Sequence, residues 1–275
     1  MTTLYTLIED YSGYGSSLLG QHGISFLIDH EGTRILFDTG REAEPLIHNM
    51  ESLNIDPGTI DCIFLSHCHY DHTGGLFDLL KTIGKRIPVI AHPTLFRPHI
   101  SFKEHLRPVG MRIPKEAFDP YADFILTRDA FEITPGVFST GEIQHRESFE
   151  TPTLKIYTVK EGTLVKDSLA DDMSIAILSP EGLIVVSGCS HAGIVSILNH
   201  SIRVTNHSHI RAVVGGLHLI DAEKERISKT VDSFRDLNVQ ELYIGHCTGF
   251  EAETAFFTEY KDSFHKLHSG RIMKF

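Results

Sequence analysis

The stretch SHCHYDHTGG, residues 66–75, follows directly on the apolar run DCIFL and places His67, His69, Asp71 and His72 at the mouth of what reads as a buried strand. Polar side chains gathered at such a place cost free energy unless something pairs with them. Ligand geometry supplies the reason. Residues two apart in an extended segment project the same way, so His67 and His69 can grip one ion together. The turn from Tyr70 to Gly75 then swings Asp71 and His72 towards a second position, with Gly74 and Gly75 allowing conformations that side chains forbid. Imidazole and carboxylate are borderline-to-hard donors suited to zinc, iron or manganese.

The rest of the chain repeats this chemistry at other strand ends. ISFLIDH (24–30) and TRILFDTG (33–40) read as a hairpin, followed by a helix over 42–53, a strand over 59–66, a helix over 76–83 and a strand over 86–92. Residues 93–123 carry several prolines and mixed charge and read as an irregular, lid-like excursion with one or two short helices. Strands return at 136–143, 153–159, 174–179 and 183–189, and from His191 onward helices alternate with the apolar runs RAVVGG and ELYIGH, which implies parallel strands. Two sheets face to face, each covered outside by helices, is the architecture this order predicts, in one domain over 1–275. Reacting groups in parallel sheets gather beyond the carboxyl ends of strands. Here those ends carry His67, Cys189 with His191, His218 and His246.

Composition narrows the functional classes. A formal net charge of -11 repels phosphate backbones, and no basic stripe interleaved with aromatics reverses it locally, so nucleic acid is not an expected partner. No apolar run is long enough to span a bilayer, and the N-terminus carries acids where a signal peptide needs bases; a cytoplasmic protein without a membrane partner is expected. Cys62, Cys68, Cys189 and Cys247 form no CxxC pair, which suits free thiols in a reducing compartment. Oligomeric state is left open.

SHCHYDHTGG resembles the HxHxDH signature of the metallo-β-lactamase superfamily, FDTG (37–40) its strand-ending aspartate, SGC (187–189) the position supplying an aspartate or cysteine, and IGHCTG (244–249) its late histidine. GQHGISFLI, TGEIQHRESFE, GCSHAG, GGLHL and HCTG together resemble, more narrowly, the subfamily related to dihydropterin–ribofuranosylaminobenzene phosphate synthases. The resemblance implies an α/β fold, a four-layer αββα sandwich of two mixed sheets flanked by helices. It also implies two divalent cations, zinc first with iron or manganese eligible. His67 and His69 would hold the first, and Asp71, His72 and His246 the second. The third histidine of the first site has no GHT-type counterpart. The matching stretch LADDMSIAIL offers Asp171 and Asp172, and His191 is the expected replacement.

Cys189 is a candidate bridging or coordinating thiolate, and His218 a candidate ligand, substrate contact or hydrogen-bond donor to a ligand. Asp38 reads as a carboxylate that braces ligand loops, and Cys68 should point away from the ions. His99, His105, His200, His207, His209, His265 and His268 are expected at the surface, and Lys103, Arg107 and Arg112 are candidates to clamp an anionic substrate. Two cations would lower the pKa of bound water towards 7. The first expectation is therefore hydrolysis of an ester, thioester, lactone or phosphodiester in a small molecule, with Asp71 orienting the hydroxide. The alternatives are a pterin-type synthase displacing pyrophosphate, a mononuclear iron oxidoreductase, and a ligand-binding protein without catalysis.

Overall fold

The computed structural model describes residues 1–102, 105–150 and 155–275. β1 (Thr2–Ile8), β2 (Ser25–His30) and β3 (Thr33–Phe37) precede α1 (Ala43–Ser52), β4 (Cys62–Phe64), α2 (Tyr70–Thr73), α3 (Leu76–Ile83) and β5 (Ile87–Ala91). There follow β6 (Ile100–Phe102), β7 (Leu106–Pro108), β8 (Ala122–Leu126), β9 (Phe131–Thr134), β10 (Val137–Ser139), β11 (Ile156–Lys160), β12 (Thr163–Lys166), β13 (Ile175–Ser179) and β14 (Gly182–Ser187). α4 (Ile194–Thr205), β15 (Ile210–Gly216), α5 (Lys224–Asp236), β16 (Glu241–Gly245) and α6 (Phe250–Tyr260) then alternate before β17 (Phe264–Lys266) and β18 (Ile272–Lys274).

Strand side chains alternate between two cores, and that alternation builds the layers. In the first sheet, ordered β18-β1-β2-β3-β4-β5-β8, Leu27, Leu36 and Ile63 face α1 and α3 with Leu46, Met50, Leu76, Leu79 and Leu80. Phe26, Ile28, Ile35, Phe37 and Phe64 face inward instead. They meet Ile175, Ile177, Ile184, Val186 and Val214 of the second sheet, ordered β17-β16-β15-β14-β13-β10-β9. That sheet turns Leu183, Val185 and Val213 outward onto α4, α5 and α6. The result is the αββα sandwich. α3 shows why its segment is helical: Leu76, Leu79, Leu80 and Ile83 form one buried stripe, and Gly84, in the left-handed region at φ 68°, ends it.

The excursion departs from expectation. It carries no α-helix among its described residues, only a single 3₁₀ turn at Lys115–Phe118. Its β6 and β7 form an antiparallel pair, and β11 joins β6 through Ser101↔Ile156, giving a separate four-stranded sheet, β12-β11-β6-β7. Two three-residue strands whose pairing partner lies about fifty residues downstream leave no readable period. The expected strand over 153–159 belongs to this sheet and not to the sandwich, and its first two positions lie outside the described residues, as does Lys103. The run 136–143 is a strand only over Val137–Ser139, and 59–66 only over Cys62–Phe64. Among the described residues no helix is long and apolar enough to cross a membrane.

Candidate metal centre

Parallel pairing aligns the carboxyl ends of β3 and β4 in one sheet and of β14, β15 and β16 in the other, so five loops converge on one edge of the sandwich. Four non-glycine residues on these loops, Asp38, Ser190, His218 and His246, take left-handed backbone conformations with φ between 46° and 61°. Such strain persists where surrounding contacts over-determine it, and it gathers at functional sites.

In the first half of the site, His67 Nε2 and His191 Nε2 each lie 3.0 Å from His69 Nδ1. Ser66 Oγ donates to Asp38 Oδ2 at 2.7 Å, so its lone pair receives His67 Nδ1–H at 2.8 Å and leaves His67 Nε2 bare. One proton cannot serve both contacts of His69 Nδ1. Three imidazole nitrogens around one cation satisfy all of them, because zinc–nitrogen bonds at a tetrahedral angle separate donors by roughly 3.3 Å. Burial holds all three rings below their ordinary pKa, His69 down to about 3, which keeps them neutral as ligation requires.

The second half combines Asp71, His72, Cys189 and His246, whose ligand atoms all lie within 4.8 Å of one another. His72 Nδ1–H donates to Asp38 Oδ2 at 2.7 Å, which turns Nε2 towards Cys189 Sγ, 3.2 Å away. Burial alone would depress His72, but Asp38 and Asp71 outweigh it and hold the ring above its usual value. Burial would likewise raise Asp71, yet His72 and His246 keep its carboxyl well below the ordinary range. Cys189 also groups with His67 and His191. A thiolate there sits between the two halves, so the donor set fits a pair of divalent cations.

The residues singled out in the sequence are placed as follows. His191 stands beside His67 and His69. Asp171 instead binds Arg97 Nη2 at 2.7 Å and the Cys68 backbone, and Asp172 accepts from the Ala192 backbone. Asp38 braces ligand loops, and Cys68 turns away towards His99, 2.8 Å from its Nδ1. His218 sits on the cavity wall, its ring 4.3 Å from that of His191. Two histidines expected at the surface are buried. His99 is stacked at 4.7 Å on His69 because the small sheet folds over the site, and His200 bonds Thr140 from inside α4. His105, His207 and His209 are exposed and His265 and His268 half-buried.

Other site residues escaped the sequence reading. Asp10 Oδ1 accepts from His246 Nδ1 at 3.0 Å, Glu9 accepts from the His246 backbone, and His22 Nε2 lies 3.4 Å from Asp71 Oδ2. The Glu9-Asp10 pair directly after an apolar strand was the available signal, since acids at a strand mouth need partners. A cavity of about 230 Å³ opens on the centre, walled by Asp71, His191, His218 and His246 on one side and by Ser101, Arg107, Val109 and Ile156 of the small-sheet region on the other. Tyr70 separates it from a second cavity of about 210 Å³ lined by Arg41 and Arg112. The guanidinium groups of Arg41, Arg107 and Arg112 lie 5.7, 6.0 and 4.9 Å from the Tyr70 ring centre. A larger groove, about 610 Å³ between α5 and α6, lies away from these ligating groups.

A family model for the metallo-beta-lactamase superfamily matches residues 21–151. A 7,8-dihydropterin-6-methyl-4-(beta-D-ribofuranosyl)-aminobenzene-5'-phosphate synthase of Methanocaldococcus jannaschii is 45% identical over 99% of this chain and 96% of its own length. Among solved structures, Tm1679, described as a metal-dependent hydrolase of the beta-lactamase superfamily, superposes with a TM-score of 0.85 at 28% identity over 100% of this chain and 99% of its own. The metallo-beta-lactamase fold protein YhfI from Bacillus subtilis does so at 0.61 and 10% identity, covering both chains fully, a likeness of fold alone.

Proposed function

Because the chain belongs to the metallo-β-lactamase superfamily, we propose that it is a metal-dependent enzyme that breaks a carbon–oxygen bond to a pyrophosphate leaving group and joins the carbon to an arylamine bearing a phosphate. The observation that carries this reading is the placing of the arginines: Arg107 lines the same cavity as the ligating cluster, and Arg41 and Arg112 line the adjoining one across Tyr70. In a chain of net charge -11, three guanidinium groups around one ring suit a bound anion. The archaeal relative's name, which describes a pterin joined to an aminobenzene ribosyl phosphate, supports the same choice.

Divalent cations held by His67, His69 and His191 and by Asp71, His72, Cys189 and His246 would supply charge neutralisation for the departing pyrophosphate. The arginines hold the acceptor's phosphate, so that the amine faces the pterin methylene carbon. As the new carbon–nitrogen bond forms and the carbon–oxygen bond breaks, the amine proton passes to the His218 imidazole on the cavity wall. The small sheet limits access of water, which would otherwise compete as acceptor.

Hydrolysis is the second reading, favoured by the resemblance in fold and sequence to Tm1679. The deciding experiment supplies zinc-, manganese- or iron-loaded protein with 7,8-dihydropterin-6-ylmethyl pyrophosphate and 4-(β-D-ribofuranosyl)aminobenzene 5'-phosphate. A coupled product with release of pyrophosphate is expected. Hydroxymethylpterin without coupling, together with turnover of chromogenic phosphodiesters or esters, would replace the synthase reading by the hydrolase one.

A further inference from the structure

The cation centre described above uses Cys189 but leaves Cys247 and His218 outside both ligand sets. These three residues leave the ends of the adjacent parallel strands β14, β15 and β16, and their ligand atoms lie within 4.8 Å of one another. Cys189 and Cys247 are free thiols, both buried. His218 Nδ1 is buried and has no hydrogen-bond partner among the described residues. The backbone makes room for the second thiol: a Cβ at position 216 would stand 2.6 Å from Cys247 Sγ and 2.8 Å from the Gly188 carbonyl, so Gly216 keeps this pocket open. His218 reaches the cluster from a left-handed conformation at φ 46°.

We propose that Cys189, His218 and Cys247 form a third, sulfur-rich cation site that takes a thiophilic ion such as zinc or cadmium, with Cys189 shared between it and the histidine–carboxylate centre. Two sulfurs and one imidazole nitrogen are a soft donor set, whereas Asp71, His72 and His246 offer harder donors beside the same thiolate. Three protein ligands leave one tetrahedral position facing the cavity. Manganese, which prefers oxygen and imidazole, is refused at the new site. If His218 accepts the amine proton as in the function proposed above, occupancy here removes it from that role, so excess zinc inhibits.

The test needs no substrate, which separates its failure from failure of the functional reading. Full-length, reduced protein is saturated with Cd²⁺ or with Mn²⁺ and desalted, and metal per chain is measured together with near-ultraviolet thiolate-to-cadmium absorption. One more cadmium than manganese ion per chain is expected. C247S should lose one cadmium ion and part of the absorption while retaining its manganese. If C247S also loses manganese and its native circular dichroism, H218A provides the same reading, since it leaves both thiols in place. Equal cadmium and manganese stoichiometry in the parent, or a cadmium count unchanged by either variant, overturns the proposal.

Discussion

Replacing Asp38 by asparagine perturbs both halves of the centre through one atom. Asp38 Oδ2 accepts from Ser66 Oγ and from His72 Nδ1, each at 2.7 Å, and Ser66 Oγ in turn holds His67 Nδ1. One carboxylate oxygen therefore sets the tautomers of His67 and His72, leaving both Nε2 atoms bare. In D38N the acid's two equivalent oxygens become one acceptor and one NH₂ group. If the NH₂ faces His72, that ring must present Nδ1 as acceptor and carry its proton on Nε2, against Cys189. If the amide flips, its NH₂ faces the Ser66 backbone N–H, which now donates to Oδ1 at 2.7 Å. Either way a charge-assisted bond worth about 1.5–3 kcal/mol is lost. Removing a group that orients a metal-ligating histidine typically weakens binding about 10–100-fold, or roughly 1.4–2.7 kcal/mol. Asparagine tolerates the left-handed conformation that residue 38 occupies at φ 55°, so the fold is retained. Chelator competition, with circular dichroism as the control for folding, should show weaker zinc binding in both halves. A D38N protein that binds both ions as tightly as the parent would refute the claim that Asp38 orients the ligands.

His69 Nδ1 faces two other ring nitrogens, so H69A should remove most of the bound metal and the turnover with it; turnover that survives metal loss, measured by elemental analysis and product formation, would exclude metal-dependent chemistry. R107A and R112A should each raise KM about tenfold for a phosphorylated acceptor, the loss of one charge-assisted contact, while leaving KM for the dephosphorylated acceptor unchanged in steady-state assays. Arg97 binds Asp167 at 2.7 Å and Asp171 at 2.7 Å from a largely buried position. Burial alone would raise both carboxyls, but Arg97 holds them below their ordinary value of 3.8. That contribution to stability is full above pH 4 or so and is lost as pH falls through the depressed values. R97A should therefore cost about 3–5 kcal/mol in urea unfolding at pH 7, by stranding two buried carboxylates, and the deficit should shrink below pH 4. Between the sheets, Phe37 stacks on Phe64 with centroids 5.4 Å apart, and F37A should cost about 3–5 kcal/mol in the same assay.

The layers were legible because β2, β3, β5, β13, β14, β15 and β16 are largely apolar runs and α3 carries the stripe Leu76, Leu79, Leu80 and Ile83, whereas β1, β8, β9, β17 and β18 were not legible as strands, β9, β17 and β18 being only three or four residues long. The positions of His67, His69, Asp71 and His72 were legible for a related reason, since a tight motif after a buried strand fixes its own geometry. Residues that act through long-range pairing were not. β6 and β7 are three residues each, and their sheet exists only because β11 returns to pair with them. His99 read as a surface residue for that cause, as it is the small sheet that buries it against His69. Asp10 and His22 come from the loop after β1, and Asp10 meets His246 across more than two hundred residues while His22 meets Asp71 across about fifty. Cys247 was quoted within a motif, but only the alignment of β14 with β16 through β15 brings it to Cys189.

The small sheet has its own hydrogen-bond ladder, separate from those of the two sandwich sheets that carry His67 and His246. Ser101, Arg107 and Ile156 can therefore change without moving His67 or His246. The ceiling of the cavity can thus be redrawn over an unchanged floor, and with it the shape of what the cavity admits.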